Sequence, residues 1–176
     1  NDVDFYDRDG DAFRKNLTRN PLKKRFRVSS PFGYRTHPIL KRKLMHTGID
    51  YAAPRGTPIY AAGDGTVVKA RRYGGYGNYV KIKHDSVWTT AYGHLKSFAR
   101  GMRKWKRVKE GDLIGYVGST GRSTGPHLHY EIIKYGKPRN PATIKLPSGR
   151  QLKGKSLTRF QQEVDRIEKI LERKSA

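Results

Sequence analysis

Residues 57–84 read TPIYAAGDGTVVKARRYGGYGNYVKIKH, and this stretch decides the fold class. Its apolar, β-branched and aromatic residues form short runs, TPIYAA, GTVVKA and NYVKIKH, which glycine, aspartate and asparagine separate. Short runs bounded by turn-forming residues are typical of β-strands. The pattern continues in TTAYGHL, DLIGYVG and HLHYEII, with further turn signals at residues 118–126. The sequence therefore predicts a mainly β domain of antiparallel strands with almost no helix.

The strand pattern also predicts where this domain begins and ends. It extends from residue 26 to about residue 145. Residues 1–25 contain five aspartates among the first eleven residues and then a basic stretch, so we expect an N-terminal extension or linker there. Residues 146–176 are expected to form a C-terminal extension.

The C-terminal extension changes to a helical period. Its apolar side chains recur at helical spacing, and a capping box fits just before them; the residues are Thr158 and Gln161 for the box and Phe160, Val164, Ile167 and Leu171 for the stripe. The spacing predicts one amphipathic helix over residues 158–173, packed on the β domain or on a partner.

Composition excludes several functional classes. The chain has 176 residues and no cysteine, so disulfides, thiolate zinc sites and a cysteine nucleophile are excluded. No apolar run reaches the roughly 20 residues of a transmembrane helix, and the first residues lack the apolar core of a signal peptide. We therefore expect a soluble chain whose export signal lies outside this sequence.

The chain is strongly basic, with 38 Lys and Arg against 15 Asp and Glu and a net charge of +23. A charge of this size attracts polyanions. The basic residues are dispersed, however, and no nucleic-acid-binding motif accompanies them, so we expect no specific nucleic-acid partner. Anionic polymers of the cell envelope or membrane surfaces suit the charge equally well.

Three of the motifs carry histidines suited to metal chemistry. His127 and His129 are two apart in HLHYE, so on a strand both project to one face and can act as two ligands, or as a ligand and an acid/base. His46 and Asp50 are four apart in MHTGID and can converge on one ion, and His94 follows in AYGHL. A single motif of this kind is weak evidence, because such short matches also occur by chance.

Together these motifs predict a catalytic zinc site. His46, Asp50 and His129 supply three nitrogen and oxygen ligands, and the fourth position stays open for water, as in catalytic rather than structural zinc sites. His94 and His127 then remain close by without being ligands. Ordinary structural roles for single histidines are the competing interpretation.

Longer stretches carry a family resemblance. The segments SSPFGYRTHPI, HTGIDYAAPRGTPIYAAGDGTVV, GNYVKIKH, YGHL and GPHLHYE occur in order between residues 26 and 145. They resemble the lysostaphin-type zinc endopeptidases, or LytM-like murein hydrolases. The resemblance implies the antiparallel fold of that family, a duplicated hybrid motif, and one zinc ion per chain. The FGYRTHPI form is most similar to Gram-negative periplasmic enzymes that cut D-alanine to diamino acid cross-links.

The resemblance also implies a role for each matching residue. His46, Asp50 and His129 correspond to the zinc ligands, and His94 and His127 to the catalytic pair. It further implies a peptidoglycan substrate, a periplasmic or cell-envelope location, and an inhibitory N-terminal domain or regulator outside this sequence.

Four further residues are candidates for the surroundings of the site. Glu131 shares a strand face with the two histidines of HLHYE and is a candidate hydrogen-bond acceptor that fixes a ligand tautomer. Arg35, Tyr92 and His37 are candidates for the substrate groove by family analogy. His84 is expected to serve structural hydrogen bonding.

Two other functions compete with the enzyme. A non-catalytic wall-binding or regulatory domain would keep the fold without turnover, although such relatives have lost zinc ligands that this sequence keeps. AAGDGTVVKA and VKEGDLIGYVG also resemble lipoyl and biotinyl carrier domains, but the M-K-M or D-K-A tripeptide of the modified lysine is absent.

Overall fold

The computed structural model describes residues 6–10, 12, 16–36, 39, 41–147, 149 and 151–175. The first half of the chain forms strands β1 (Val28–Ser30), β2 (Gly33–Thr36), β3 (Lys43–His46), β4 (Ile49–Tyr51), β5 (Pro58–Tyr60) and β6 (Gly65–Arg72). The second half forms β7 (Asn78–Lys83), β8 (Trp88–Phe98), β9 (Arg107–Val108), β10 (Leu113–Val117), β11 (Leu128–Lys134) and β12 (Lys137–Arg139), and the helix α1 (Lys155–Ser175).

The strands pair antiparallel, which confirms the predicted fold class. The main sheet has the order β1-β4-β11-β8-β7-β6-β9, with β10 paired to β5 and β8 and with β12 paired to β11. Strands β2 and β3 form a separate hairpin. Between β6 and β7 the chain makes only a short 3₁₀ turn at Gly74–Tyr76, which agrees with the expected scarcity of helix in this region.

Strand β11 shows how the sheet separates core from site. Leu128, Tyr130 and Ile132 are fully buried in the core, and each such side chain contributes about 1.5–3 kcal/mol through burial. Because successive side chains on a strand point to opposite faces, His129 and Glu131 face the other way. The alternation in HLHYEII therefore builds the core and the site from one strand.

The chain divides into two compact units. One comprises Thr18–Lys145, and the other combines Asn1–Leu17 with Leu146–Ala176. The β unit thus begins before residue 26, where the strand pattern starts. Thr18 donates its N–H to the Ala62 carbonyl at 2.7 Å, and the Tyr60 N–H donates to Pro21 at 2.8 Å. These backbone bonds bring polar, proline-containing chain into the unit without any strand signal.

Helix α1 begins earlier than its apolar stripe predicts. It starts at Lys155, and Thr158 donates its N–H to the Gly154 carbonyl at 3.1 Å, within the first turn. The predicted capping box is therefore wrong, because Thr158 lies inside the helix. None of the helices within the described ranges is long and apolar enough to cross a membrane.

The unit that contains α1 also includes the N-terminal segment. The Tyr6 ring packs edge-on against Phe160 at 6.0 Å between centroids. Arg8 forms ion pairs with Asp165 at 2.6 Å and with Glu168 at 3.1 Å. The basic residue Arg8 thus links the N-terminal segment to the helix within this unit.

Candidate active site

Three side chains converge, two from adjacent strands of the main sheet and one from the β2–β3 hairpin. His46 ends β3, Asp50 lies in β4, and His129 lies in β11 directly opposite Asp50 in the strand pairing. His46 Nε2 is 3.1 Å from both Asp50 Oδ1 and His129 Nδ1, and His129 Nδ1 is 2.8 Å from Asp50 Oδ1. All three residues are buried, so the polar atoms face one another away from bulk water.

Backbone and side-chain acceptors fix which ring nitrogen of each histidine faces this cluster. His46 Nδ1 is 2.6 Å from the Pro31 carbonyl, which can only accept, so Nδ1 carries the proton. His129 Nε2 donates in the same way to Glu131 Oε1 at 3.0 Å. The lone pairs of His46 Nε2 and His129 Nδ1 therefore meet the Asp50 carboxylate oxygen.

Such a donor set fits a cation. Three lone pairs with no donor between them repel unless a positive charge lies among them. Nitrogen and oxygen ligands at 2.0–2.1 Å from a tetrahedral zinc ion are about 3.3 Å apart, close to the separations found here. The cluster of His46, Asp50 and His129 is thus a metal-site triad, and its chemistry suits zinc.

Electrostatics within the triad favour a positive charge at its centre. Burial opposes ionisation of Asp50, but the neighbouring His129 and His46 rings outweigh it and hold the pKa of this carboxyl far below its ordinary value. Burial lowers the pKa of His129, but the neighbouring Asp50 and Glu131 carboxylates more than compensate and raise it to about 9. A proton and a metal ion would therefore compete for His129 Nδ1.

Glu131 lies at the centre of a second network. It accepts hydrogen bonds from the Thr47 hydroxyl and, at 2.9 Å, from the Tyr76 hydroxyl, as well as from His129. Burial alone would raise the pKa of Glu131, but His129 and the hydroxyl hydrogen bonds outweigh burial and lower the pKa below its ordinary value, so the carboxyl stays ionised. Burial and the Glu131 charge raise the pKa of Tyr76 to about 12, which keeps its phenol a donor.

His94 and His127 form a separate pair beside the triad. Their ring centroids are 4.6 Å apart, and His127 Nε2 is 3.8 Å from Asp50 Oδ1. His94 Nδ1 donates to the Thr120 carbonyl at 2.7 Å and His127 Nδ1 to the Gly125 carbonyl at 2.8 Å. Burial and repulsion from His127 and His129 lower the pKa of His94 to about 4, despite the bond to Thr120. Near neutral pH, His94 Nε2 is therefore a proton acceptor.

Tyr92 and His94 are two residues apart on β8, so regular strand alternation would place both side chains on the same face. The backbone conformation at His94 breaks this alternation. His94 has φ 62°, a left-handed conformation that is uncommon for a non-glycine residue. Strand β8 pairs with β11 up to Gly93 and with β10 from Leu95 onward, and the conformation at His94 turns its side chain toward the site. Such strain is found at functional sites.

The structure does not place Tyr92 in the groove. Its side chain is fully buried, and its hydroxyl accepts the Ala62 N–H at 2.9 Å. The expectation that Tyr92 lines a substrate groove is therefore corrected: regular alternation along β8 directs it into the core. His37 lies outside the described residues.

A groove of about 510 Å³ contains the triad and the histidine pair. Its apolar residues Ile39, Leu44 and Met45 lie in or near the β2–β3 hairpin, whereas hydroxyl and cationic residues line it both in the hairpin and in the 118–126 loop, which contributes Arg122, Ser123 and Thr124. Arg35 also lines it and donates from Nη2 to Asp50 Oδ2 at 3.5 Å. Apolar, hydroxyl and cationic side chains thus surround the triad in one groove.

Sequence reasoning missed Thr47, Tyr76 and Arg122. Thr47 lies inside the quoted MHTGID motif, and Tyr76 is an aromatic residue between glycines in GGYGN, which was interpreted only as a turn. Both contact Glu131 through pairings that are distant in sequence. Arg122 was hidden among many dispersed basic residues.

Comparison with known proteins places these features in a family. The family model "Peptidase family M23" matches residues 44–141. Among curated proteins, the DD-carboxypeptidase/endopeptidase Mpg of Neisseria meningitidis serogroup B is 54% identical over 69% of this chain and 28% of its own length. The peptidoglycan DD-endopeptidase ShyA of Vibrio cholerae is 38% identical over 99% of this chain and 40% of its own.

A solved structure supports the same relationship. A zinc-containing peptidase from Vibrio cholerae aligns with a TM-score of 0.74 and 39% identity, covering 82% of this chain and 44% of that one. This chain spans less than half the length of these curated relatives.

Proposed function

The chain belongs to peptidase family M23, and on that premise we propose that it is a zinc-dependent endopeptidase that hydrolyses peptidoglycan cross-links between D-alanine and a diamino acid. The observation that carries the proposal is the convergence of three lone pairs, from His46, Asp50 and His129, beside two further histidines in one groove. The activities named for Mpg and ShyA support it. A peptidoglycan substrate implies action in the cell envelope.

His46 Nε2, Asp50 Oδ1 and His129 Nδ1 would hold one zinc ion per chain. When bound, zinc supplies a Lewis acid that lowers the pKa of water and polarises a carbonyl. Glu131 keeps the Nε2 proton on His129 and so leaves Nδ1 as the ligand atom. Arg35 holds Asp50 Oδ2, which orients Oδ1 toward the two histidines.

His94 and His127 supply the proton transfers. A water that attacks the scissile carbonyl loses a proton, and the leaving amine gains one. Both imidazoles have Nδ1 tied to a backbone carbonyl, so each presents Nε2 to the groove. The Nε2 atom of one of the two histidines takes a proton from the attacking water, and the imidazolium so formed stabilises the oxyanion. The histidine pair then donates the proton to the leaving amine.

Digestion of purified peptidoglycan tests the bond that is cut. We expect cross-linked muropeptide dimers to become monomers by mass analysis, with no glycan fragments released and little cleavage of pentaglycine. A chelator should abolish the reaction and zinc should restore it. Release of glycan fragments, or efficient pentaglycine cleavage with dimers intact, would contradict the proposal.

Variants of the two strand histidines test the residue roles. His129→Ala should lose zinc, whereas His127→Ala and His94→Ala should retain it and lose roughly 10²- to 10⁴-fold in rate. Zinc content and dimer cleavage are measured on the same preparations. If His127→Ala released zinc and His129→Ala did not, the ligand and acid/base roles would be reversed.

The alternatives differ in measurable ways. A non-catalytic wall-binding domain would bind sacculi and zinc without producing monomers. Family membership leaves no basis for a lipoyl or biotinyl carrier, since the resemblance in AAGDGTVVKA lies within the matched region.

A further inference from the structure

We propose that Arg122 determines substrate specificity by binding the free α-carboxylate of the residue on the leaving-group side of the scissile bond. The inference rests on the proposed function, because it names a substrate feature read by the same groove. Arg122 lies in the 118–126 loop and lines the groove that contains the metal-site triad. No role in the proposed chemistry accounts for it.

Contact with the 74–76 turn positions Arg122, whose side chain is otherwise exposed. Its backbone N–H donates to the Gly75 carbonyl at 2.8 Å, and its guanidinium lies over Gly75. A Cβ added at Gly75 would lie 2.5 Å from Arg122 Nε and 2.6 Å from Nη2. Glycine at this position therefore allows the guanidinium to rest against the 74–76 turn, which restricts a long and otherwise mobile side chain.

The same loop holds the histidine pair. The Thr120 carbonyl accepts from His94 Nδ1 at 2.7 Å, and the Thr120 hydroxyl accepts the Asn78 N–H at 2.9 Å and donates to Leu95 at 2.8 Å. The loop that carries Arg122 is therefore tied to His94, and Arg122 follows two residues after the carbonyl that orients this imidazole. The same loop therefore carries the proposed binding residue, Arg122, and orients the histidine pair.

The charges of the groove favour an anionic ligand. Among its described lining residues, the one carboxylate is Asp50, which already contacts His46, His129 and Arg35. No carboxylate within the described ranges forms an ion pair with Arg122. Arg122 thus offers a planar fork of N–H donors suited to bidentate binding of a carboxylate.

The chemistry of the cross-link supplies that carboxylate. In a direct cross-link the scissile nitrogen is bonded to the D-configured carbon of a diamino acid, and the same carbon carries a free carboxylate. A terminal D-alanyl-D-alanine bond has a carboxylate in the same position. A glycine bridge has an amide there instead. One cation near the leaving group would therefore accept the first two substrates and disfavour the third.

A matched pair of substrates tests the inference. Two cross-linked dimers are compared, one with the carboxylate beside the scissile nitrogen free and one with it amidated, and kcat/KM is measured for each. The wild-type protein should prefer the free acid, and Arg122→Ala should reduce kcat/KM for that dimer by about 10- to 100-fold, with a much smaller change for the amide. Arg122→Lys should retain part of the preference.

Two further variants serve as controls. Gly75→Ala keeps the arginine but displaces its guanidinium, so it should reduce the preference in the same direction. Arg103→Ala removes an exposed charge outside the groove lining and should leave the preference unchanged. Zinc content and thermal unfolding of each variant report whether the fold and triad are intact.

The outcomes separate the inference from the proposed function. If the wild-type protein cleaves both dimers equally, or if Arg122→Ala slows both by the same factor, the inference is overturned while the enzyme assignment stands. If Arg35→Lys but not Arg122→Ala removes the preference, the carboxylate binds elsewhere and the inference also fails. Cleavage of neither dimer overturns the proposed function and the inference with it.

Discussion

Each ring nitrogen of His129 faces a carboxylate. Glu131 binds Nε2 at 3.0 Å, and Asp50 lies 2.8 Å from Nδ1. Because the Thr47 and Tyr76 hydroxyls also donate to Glu131, this carboxylate has little freedom to turn away from the imidazole. At the scale of single residues, the ligand geometry of His129 depends on residues that do not touch the metal position.

Replacement of Glu131 tests this dependence. Glu131→Gln keeps the shape of the side chain but removes its charge, and we expect zinc affinity to fall by about 10- to 100-fold, as is typical when a partner of a ligating histidine is changed. Competition with a chromophoric chelator measures the affinity. Glu163→Gln on the exposed surface of α1 is the matched control. Unchanged zinc affinity in Glu131→Gln would contradict the role.

At the scale of elements, two loops form one wall of the groove. Residues 73–77 and 118–126 approach so closely that a Cβ at Gly77 would overlap the Thr120 carbonyl. Gly77 also has φ 66°, a region that L-residues avoid. A side chain at Gly77 would therefore force the two loops apart.

Gly77→Ala should therefore separate the loops. We expect a loss of about 1–3 kcal/mol in the free energy of unfolding and a fall in kcat, because Thr120 also orients His94. Gly136→Ala is the control: Gly136 has φ 74° but has no atom within 4 Å of an added Cβ. Denaturant unfolding and dimer cleavage compare the two, and equal losses would show that backbone strain alone is responsible.

His84 supports the β7–β8 pair in its neutral form. Its Nδ1 donates to the Asp64 carbonyl at 2.7 Å, and Nε2 accepts from the Thr90 hydroxyl at 2.8 Å. Burial lowers the pKa of His84 in the folded protein, although the bond to the Asp64 carbonyl and the charges of Asp85 and Asp64 oppose the shift. The structural role expected for this residue is the one observed.

The lowered pKa predicts acid sensitivity. Below the ordinary value of 6.5 the unfolded chain binds a proton that folded His84 resists, so the free energy of unfolding falls as pH decreases toward the folded pKa. One proton accounts for at most about 1.4 kcal/mol per pH unit. Urea unfolding of wild type and His84→Gln at pH 7.5, 6 and 5 measures it. The difference in the free energy of unfolding between wild type and His84→Gln should become smaller as the pH falls. A difference that stays constant with pH would contradict this prediction.

The elements also show what the sequence could predict. Apolar runs and turn residues located β5, β6, β7 and β11, because strand alternation and turn chemistry are local properties. The pairing of β11 with β4, which places His129 opposite Asp50, depends on contacts distant in sequence. The histidine motifs and the family resemblance together indicated the ligand set without locating this pairing. Family analogy alone suggested Tyr92 for the groove, and it was wrong because alternation along β8 directs this side chain into the core. The left-handed backbone that turns His94 toward the site has no signal in AYGHL.

At the scale of the whole molecule, charge is the dominant property. The net charge is +23, and two of the carboxylates, Asp50 and Glu131, are buried within the site. The Lys and Arg residues therefore greatly outnumber the carboxylates outside the site, and their charge attracts distant anions. Peptidoglycan stems carry carboxylates and neighbouring envelope polymers carry phosphates, so long-range attraction to an insoluble wall is expected in addition to the local contact proposed for Arg122.

Salt separates the long-range attraction from catalysis. The screening length falls from about 10 Å at 0.1 M to about 3 Å at 1 M salt, so dispersed surface charges lose their influence while groups in contact retain theirs. We therefore expect binding to whole sacculi, measured by co-sedimentation, to weaken steeply with salt. The kcat/KM for a short soluble cross-linked peptide should change much less over the same range. The excess of 38 basic over 15 acidic residues acts in wall targeting only if the two dependences differ. Equal salt dependence of both would assign the charge effect to the groove alone.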